Sequence, residues 1–135
     1  MFDEIQMKPI VFPSQKEHPS AAYRVAFDLL EQRAPEQALD VLDEAITAEP
    51  DSLSLRSLRA WAYFVRVQLA KAEEDLRFVV EHDPSDVWAR HTLGRVLERQ
   101  SRLAEALPHL RLAAAMSGAP DHERAVRRVE HRLAS

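Results

Sequence analysis

The sequence of 135 residues contains no cysteine, which excludes disulfide bonds, thiolate metal sites, iron–sulfur clusters and a cysteine nucleophile. It has only two glycines against eight prolines. Glycine-rich phosphate-binding loops and tight β-hairpins are therefore not supported, since both depend on glycine. No apolar run reaches the roughly 18 residues of a membrane-spanning helix. What remains is a chain that is 46% hydrophobic and 30% charged, which is typical of a small globular protein.

The chain also starts without the basic residues and apolar core of a secretion signal, because Asp3 and Glu4 come first and prolines follow soon after. We therefore expect a cytoplasmic protein. The net charge of −4 is unevenly distributed. Residues 1–52 carry four basic and eleven acidic side chains, whereas residues 87–135 carry nine basic and five acidic ones. Such polarity can steer an oppositely charged partner or let copies of the chain stack head to tail.

Acidic-proline pairs recur 34 residues apart, at Glu49-Pro50 and Asp83-Pro84. Four columns of small or apolar residues follow the same period: Ala38, Ala72 and Ala106; Leu42, Leu76 and Leu110; Ala45, Val79 and Ala113; Ala26, Ala60 and Gly94. Between residues 36 and 46 the apolar positions have helical spacing. A 34-residue period built of helices indicates stacked units, none of which can bury its apolar face without a neighbour.

The third unit carries a family pattern most clearly. Its matching residues are Trp88, Leu93-Gly94, Leu97, Ala106, Leu110 and Ala113. This pattern resembles the tetratricopeptide repeat family, with leucine in place of the family's tyrosine and phenylalanine and with Trp88 two places early. The resemblance implies an all-α solenoid of helix-turn-helix repeats, wound as a right-handed superhelix whose concave groove is lined by the first helix of each repeat.

The resemblance divides the chain into an N-terminal extension and a repeat domain, residues 19–135. Its parts are the extension at residues 1–18, three repeats at residues 19–52, 53–86 and 87–120, and a capping helix at residues 121–135. Two departures from the pattern stand out. Arg56 and Arg59 occupy positions that are apolar in the family, which predicts a rotated helix or a one-residue adjustment. The third repeat has Gly118 in place of the closing proline.

No pattern in the sequence points to catalysis, a metal or a cofactor. None of the six histidines has another histidine four residues away, and neither an HExxH nor a GxSxG motif occurs. We therefore expect no enzyme activity and no cofactor. Nucleic acid is not the expected partner either, because acidic residues interleave with the arginines of the last segment and the isoelectric point is about 5.9.

The helical period places a set of side chains on the inward face of the first helices, and these are the predicted partner-binding residues: Tyr23, Phe27, Leu30, Trp61, Phe64, Trp88, His91 and Arg95. Large rigid aromatic side chains anchor a partner at little cost in conformational entropy. The alternative for Trp61 and Phe64 is a place in the core. Some family members grip the carboxylate end of chaperone tails with Lys, Asn and Arg. The comparable positions here hold Tyr23, Phe27, Ser57 and Thr92, so recognition of that type is not expected.

The predicted function is that of a protein-interaction adaptor or chaperone-like module that binds an apolar peptide or helix in its concave groove. The alternative is a structural protein that self-assembles through its acidic N-terminal and basic C-terminal ends. The extension at residues 1–18 is rich in apolar residues, and its prolines favour an extended chain. We expect part of it to pack in its own groove or in that of a neighbouring copy, which would make a homo-oligomer. The alternative is a disordered tail.

Overall fold

The computed structural model describes residues 21–135, which form seven α-helices and no strand. The helices are α1 (Ala21–Glu31), α2 (Pro35–Ala48), α3 (Leu53–Val65), α4 (Leu69–His82), α5 (Val87–Arg99), α6 (Leu103–Ser117) and α7 (Pro120–Ala134). The all-α prediction is thus confirmed for this part of the chain. The predicted N-terminal extension, residues 1–18, lies outside the described residues.

The 34-residue period of the sequence recurs in the backbone. The second helix of each pair begins at Pro35, Leu69 and Leu103, which are 34 residues apart. The turn before each of these helices contains one residue with a left-handed backbone conformation: Arg33 (φ 63°), Val67 (φ 61°) and Ser101 (φ 63°). Residues other than glycine seldom adopt this conformation. Each pair of helices is therefore closed by the same turn.

Short polar side chains and a glycine define the ends of several helices. Ser52 caps α3 by accepting a hydrogen bond from the Leu55 amide at 3.3 Å, and Asp86 caps α5 in the same way through the Ala89 amide at 3.0 Å. Gly118 follows α6 with a φ of 67°, which stops the helix in the left-handed region. The pairs therefore begin and end where local sequence chemistry favours a boundary.

The core is built from the periodic columns, and each helix packs on the one before it and the one after it. Ala38, Ala72 and Ala106 are fully buried, as are Leu42, Leu76 and Leu110. Gly94 marks the closest approach, because a Cβ atom added there would lie 2.5 Å from Cδ2 of Leu110. Small residues at these positions let neighbouring helices approach closely.

Arg56 and Arg59 do not rotate α3, which corrects the expectation from the sequence. α3 starts 34 residues before α5, and Ala60 stays fully buried in its column. The arginines are accommodated by Asp75 of α4, whose exposed fraction is 1%. Asp75 accepts hydrogen bonds from Nε of Arg59 at 2.7 Å and from Nη2 at 2.8 Å, and Arg56 lies 3.5 Å away. A buried ion pair thus replaces the apolar contact of the family pattern.

Candidate functional site

The odd-numbered helices form one layer of the molecule. α1 contacts α3, α5 contacts α7, and the rings of Trp61 and Trp88 join α3 to α5. We call this arrangement the inner layer. All eight predicted binding residues lie on α1, α3 and α5, so the structure brings them onto the same layer.

Five aromatic side chains of the inner layer form what we call the aromatic strip: Tyr23, Phe27, Trp61, Phe64 and Trp88. The ring centroids of Tyr23 and Phe27 are 6.2 Å apart. Trp61 contacts both Phe64 and Trp88 with centroid separations of 6.0 Å and tilted rings. Tilted and offset arrangements of this kind are the favourable ones for aromatic pairs. The strip is consequently a packed aromatic surface that crosses from α3 to α5.

The predicted residues differ in how much of their surface water can reach. Tyr23, Leu30, Trp61 and Phe64 are buried, with exposed fractions of 1%, 7%, 5% and 2%. Phe27 and Trp88 are half-buried, as are His91 and Arg95. Burial also raises the pKa of Tyr23, so its hydroxyl stays neutral at physiological pH. The half-buried members are the ones that keep surface for direct contact.

His91 extends the aromatic surface toward α7. Its ring stacks on His122 with the centroids 4.0 Å apart and the planes 19° apart. Burial, followed by the repulsion of His122, lowers the pKa of His91 from 6.5 to about 3. The His91 imidazole is therefore neutral at physiological pH and presents a polar but uncharged edge.

Beyond the strip lies a group of charged residues that we call the basic end: Arg95, Arg99 and Arg128 with Glu98. Glu98, 7% exposed, accepts hydrogen bonds from Nε of Arg128 at 2.6 Å and from Nη2 at 2.8 Å. Nε of Arg95 is 4.0 Å from the same carboxylate, and Cζ of Arg99 is 5.7 Å from the Phe64 ring centroid. Three guanidinium groups around one carboxylate give this group an excess of positive charge.

Sequence reasoning found Arg95 but missed Arg99, Glu98 and Arg128. The first two follow Arg95 by four and three residues on the same helix, so their helical spacing could have identified them. Arg128 is on α7 and meets Glu98 across 30 residues of sequence. Only tertiary packing brings that pair together.

Two polar atoms of this face are buried and have no hydrogen-bond partner in the part of the chain that the structure describes. They are Nε1 of Trp61 and Nδ1 of His91. A buried polar atom without a partner costs free energy, and such atoms are rare in folded proteins. Both atoms belong to predicted binding residues, so a bound segment of polypeptide could supply a carbonyl or amide group to each.

The positions of the carboxylate clamp carry no basic side chain. Ser57 and Thr92 are buried, with exposed fractions of 1% and 4%, and Tyr23 is buried as well. Phe27 is half-buried. The four positions therefore present no charge that could hold a carboxylate.

Metal and membrane sites were searched over residues 21–135. No group of three or more histidine, aspartate or glutamate side chains within this range could hold a metal ion. None of the seven helices is long and apolar enough to cross a membrane.

Among curated proteins, the chain is similar to a TPR repeat-containing protein of Pseudomonas aeruginosa, with 35% identity over 72 residues. The match covers 53% of this chain and 12% of that protein, so the chain spans only a small part of the relative's length. No protein-family model matches the sequence.

Several solved structures share the arrangement of helices. The first TPR of Spaghetti (RPAP3), bound to the HSP90 peptide SRMEEVD, superposes with a TM-score of 0.81 at 23% identity, over 84% of this chain and 91% of that one. The second TPR domain of human RPAP3, in complex with the HSP70 peptide SGPTIEEVD, gives 0.76 at 18% identity over 82% and 92%. The Sgt2 TPR domain from Aspergillus fumigatus gives 0.77 at 20% identity over 89% and 78%. This likeness establishes a shared fold.

Proposed function

We propose that this chain, which folds as a tetratricopeptide-repeat domain, is a protein-interaction adaptor or chaperone-like module that binds an apolar peptide or helix against the inner layer. The single observation that carries this function is the aromatic strip, which runs across α3 and α5 through the contact of Trp61 with Trp88. Phe27 and Trp88, which are half-buried, make the direct contacts. The buried members hold those two side chains in place and limit the entropy lost on binding.

Structures of the same fold support a peptide as the ligand, since two of them are complexes with HSP90 and HSP70 peptides. Both of those peptides end in the acidic sequence EEVD. A terminal carboxylate would require basic side chains at the clamp positions, and this chain has Ser57 and Thr92 there instead. The ligand we propose is therefore apolar along most of its length rather than an acidic tail.

The test is capture of partners from the native lysate with the wild type and with Phe27→Ala/Trp88→Ala. We expect the double variant to lose the captured proteins, because truncating aromatic anchors commonly costs about 2 kcal/mol or more each. The matched control is Leu112→Ala/Met116→Ala, which removes two exposed apolar side chains from α6 outside the strip. If wild type and Phe27→Ala/Trp88→Ala capture the same proteins equally, the strip is not the binding surface.

Self-assembly is the second candidate, and the charges of the outer helices favour it. Arg124, Arg127 and Arg132 are exposed on α7, whereas Asp40 and Asp43 are exposed on α2. Association of these opposite ends would weaken strongly with added salt, because exposed charges are screened. Binding at the aromatic strip would not, so light scattering across a salt titration separates the two.

A further inference from the structure

We propose that residues 1–13 of this chain occupy its own aromatic strip when no partner is bound, lying from α1 toward α5 and α7 and so limiting access to the binding face. This inference rests on the proposed function, since it assigns a competing occupant to the same face. The occupant is inferred from four properties of the described residues and of the sequence: reach, apolar character, charge and the unpaired polar atoms.

The segment is long enough to cross the whole inner layer. Asp3 precedes Ala21, the first residue of α1, by 18 residues. An extended chain of that length spans about 60 Å. The axes of α1 and α7 are separated by three helix spacings, or about 25–30 Å at the usual 8–10 Å each. Because the segment is tethered next to the strip, its effective concentration there is in the range of millimolar.

The composition of the segment matches what the strip would bind. Its apolar residues are Phe2, Ile5, Met7, Ile10, Val11 and Phe12. Pro9 and Pro13 favour extended backbone over helix. An extended apolar segment can place side chains against an aromatic surface while its carbonyl groups stay available as hydrogen-bond acceptors. Nε1 of Trp61 is a donor with no partner among the described residues, and a backbone carbonyl would satisfy it.

Charge fixes the direction in which the segment lies. Its two carboxylates, Asp3 and Glu4, are at the end farthest along the chain from α1. The basic end, with Arg95, Arg99 and Arg128 around Glu98, is at the far side of the inner layer from α1. A segment that leaves α1 and crosses α3 therefore brings its acidic residues to the positively charged group.

The two tryptophans of the chain provide the measurement, since both Trp61 and Trp88 belong to the strip. The variant is the full chain with Ile5→Ser, Ile10→Ser and Phe12→Ser, which weakens the proposed contact without touching a described helix. We expect increased quenching by acrylamide and a shift of tryptophan emission to longer wavelength relative to the wild type. The matched control is Gln6→Ser, Lys8→Ser and Gln15→Ser, which changes the same number of polar residues in the same region and should leave both signals at wild-type values.

A synthetic peptide of residues 1–20 completes the test, because it should restore wild-type quenching when added to the apolar variant. Equal quenching of wild type, apolar variant and control would overturn the proposal. So would a wild-type mass of two chains by light scattering that falls to one chain in the apolar variant, since the segment would then occupy a second copy. Either result leaves the proposed function standing if partner capture still depends on Phe27 and Trp88.

Discussion

Val67 shows at the residue scale how the repeat imposes a backbone conformation that its sequence does not favour. It lies in the turn between α3 and α4 with a φ of 61°, and 53% of its surface is exposed. A β-branched residue in the left-handed region costs about 1–2 kcal/mol, because its Cβ substituents approach the backbone carbonyl. The same turn holds Arg33 and Ser101 in the other two pairs, so packing of the pair sets the conformation.

We expect Val67→Asn to raise the free energy of unfolding by about 1 kcal/mol, since asparagine tolerates the left-handed region. Urea unfolding followed by circular dichroism measures the change. Val67→Thr is the matched control, because it removes the exposed apolar character and keeps the β-branch. A gain of the same size from threonine would show that the stabilisation comes from surface polarity and not from the backbone.

At the scale of the helical element, α3 and α4 are joined by a buried ion pair instead of an apolar contact. Asp75 has an exposed fraction of 1% and receives two hydrogen bonds from Arg59. These bonds are the main reason that the pKa of Arg59 is raised. Such pairs contribute little net stability over a well-packed apolar pair, but removal of one partner leaves a charge without compensation.

We therefore expect Asp75→Ala to lower the free energy of unfolding by about 3 kcal/mol, measured by urea unfolding. The double variant Arg59→Met/Asp75→Leu should recover most of that loss, because it removes both charges and keeps the volume filled. Asp43→Ala serves as the control, since Asp43 is an exposed partner of the same arginine and its removal should cost about 1 kcal/mol or less. A loss below that value for Asp75→Ala would contradict a structural role for the pair.

For the whole molecule, stability should depend on pH through His91, which links α5 to α7. The group is surrounded by His122, Asp121 and Arg128 of α7 and by Arg95 of its own helix. Its pKa is lowered from 6.5 to about 3, chiefly by burial. Below pH 6.5 the unfolded chain binds a proton that the folded chain does not bind until about pH 3. Stability that is present at neutral pH is consequently lost as the pH falls through this window.

Between pH 7.5 and pH 5 this group should lower the free energy of unfolding by about 2 kcal/mol, at 1.4 kcal/mol per pH unit below 6.5. The measurement is urea unfolding at both pH values for the wild type and for His91→Gln. We expect the difference between the two pH values to shrink by that amount in the variant. His131→Gln, at an exposed position of α7, should keep the full dependence. An identical pH dependence in wild type and His91→Gln would contradict the burial of a neutral imidazole.

The sequence by itself determined the repeat and the helices. The 34-residue columns and the acidic-proline pairs predicted an all-α solenoid, because small and apolar residues at fixed spacing must meet in every unit. Ser52 and Asp86 were recognisable as caps since an N-terminal cap needs only a short polar side chain next to the helix. These features depend on neighbours a few residues away, or on a period that the chain repeats.

Only the tertiary structure decided how the charged and aromatic side chains combine. Asp75 lies 16 residues from Arg59 and Arg128 lies 30 residues from Glu98, and no sequence pattern joins either pair. The periodicity placed Tyr23, Trp61 and Trp88 on one layer, but their degree of burial depends on contacts with other helices. Burial and long-range pairing follow from the packing of helices against each other, so local propensity and spacing cannot specify them.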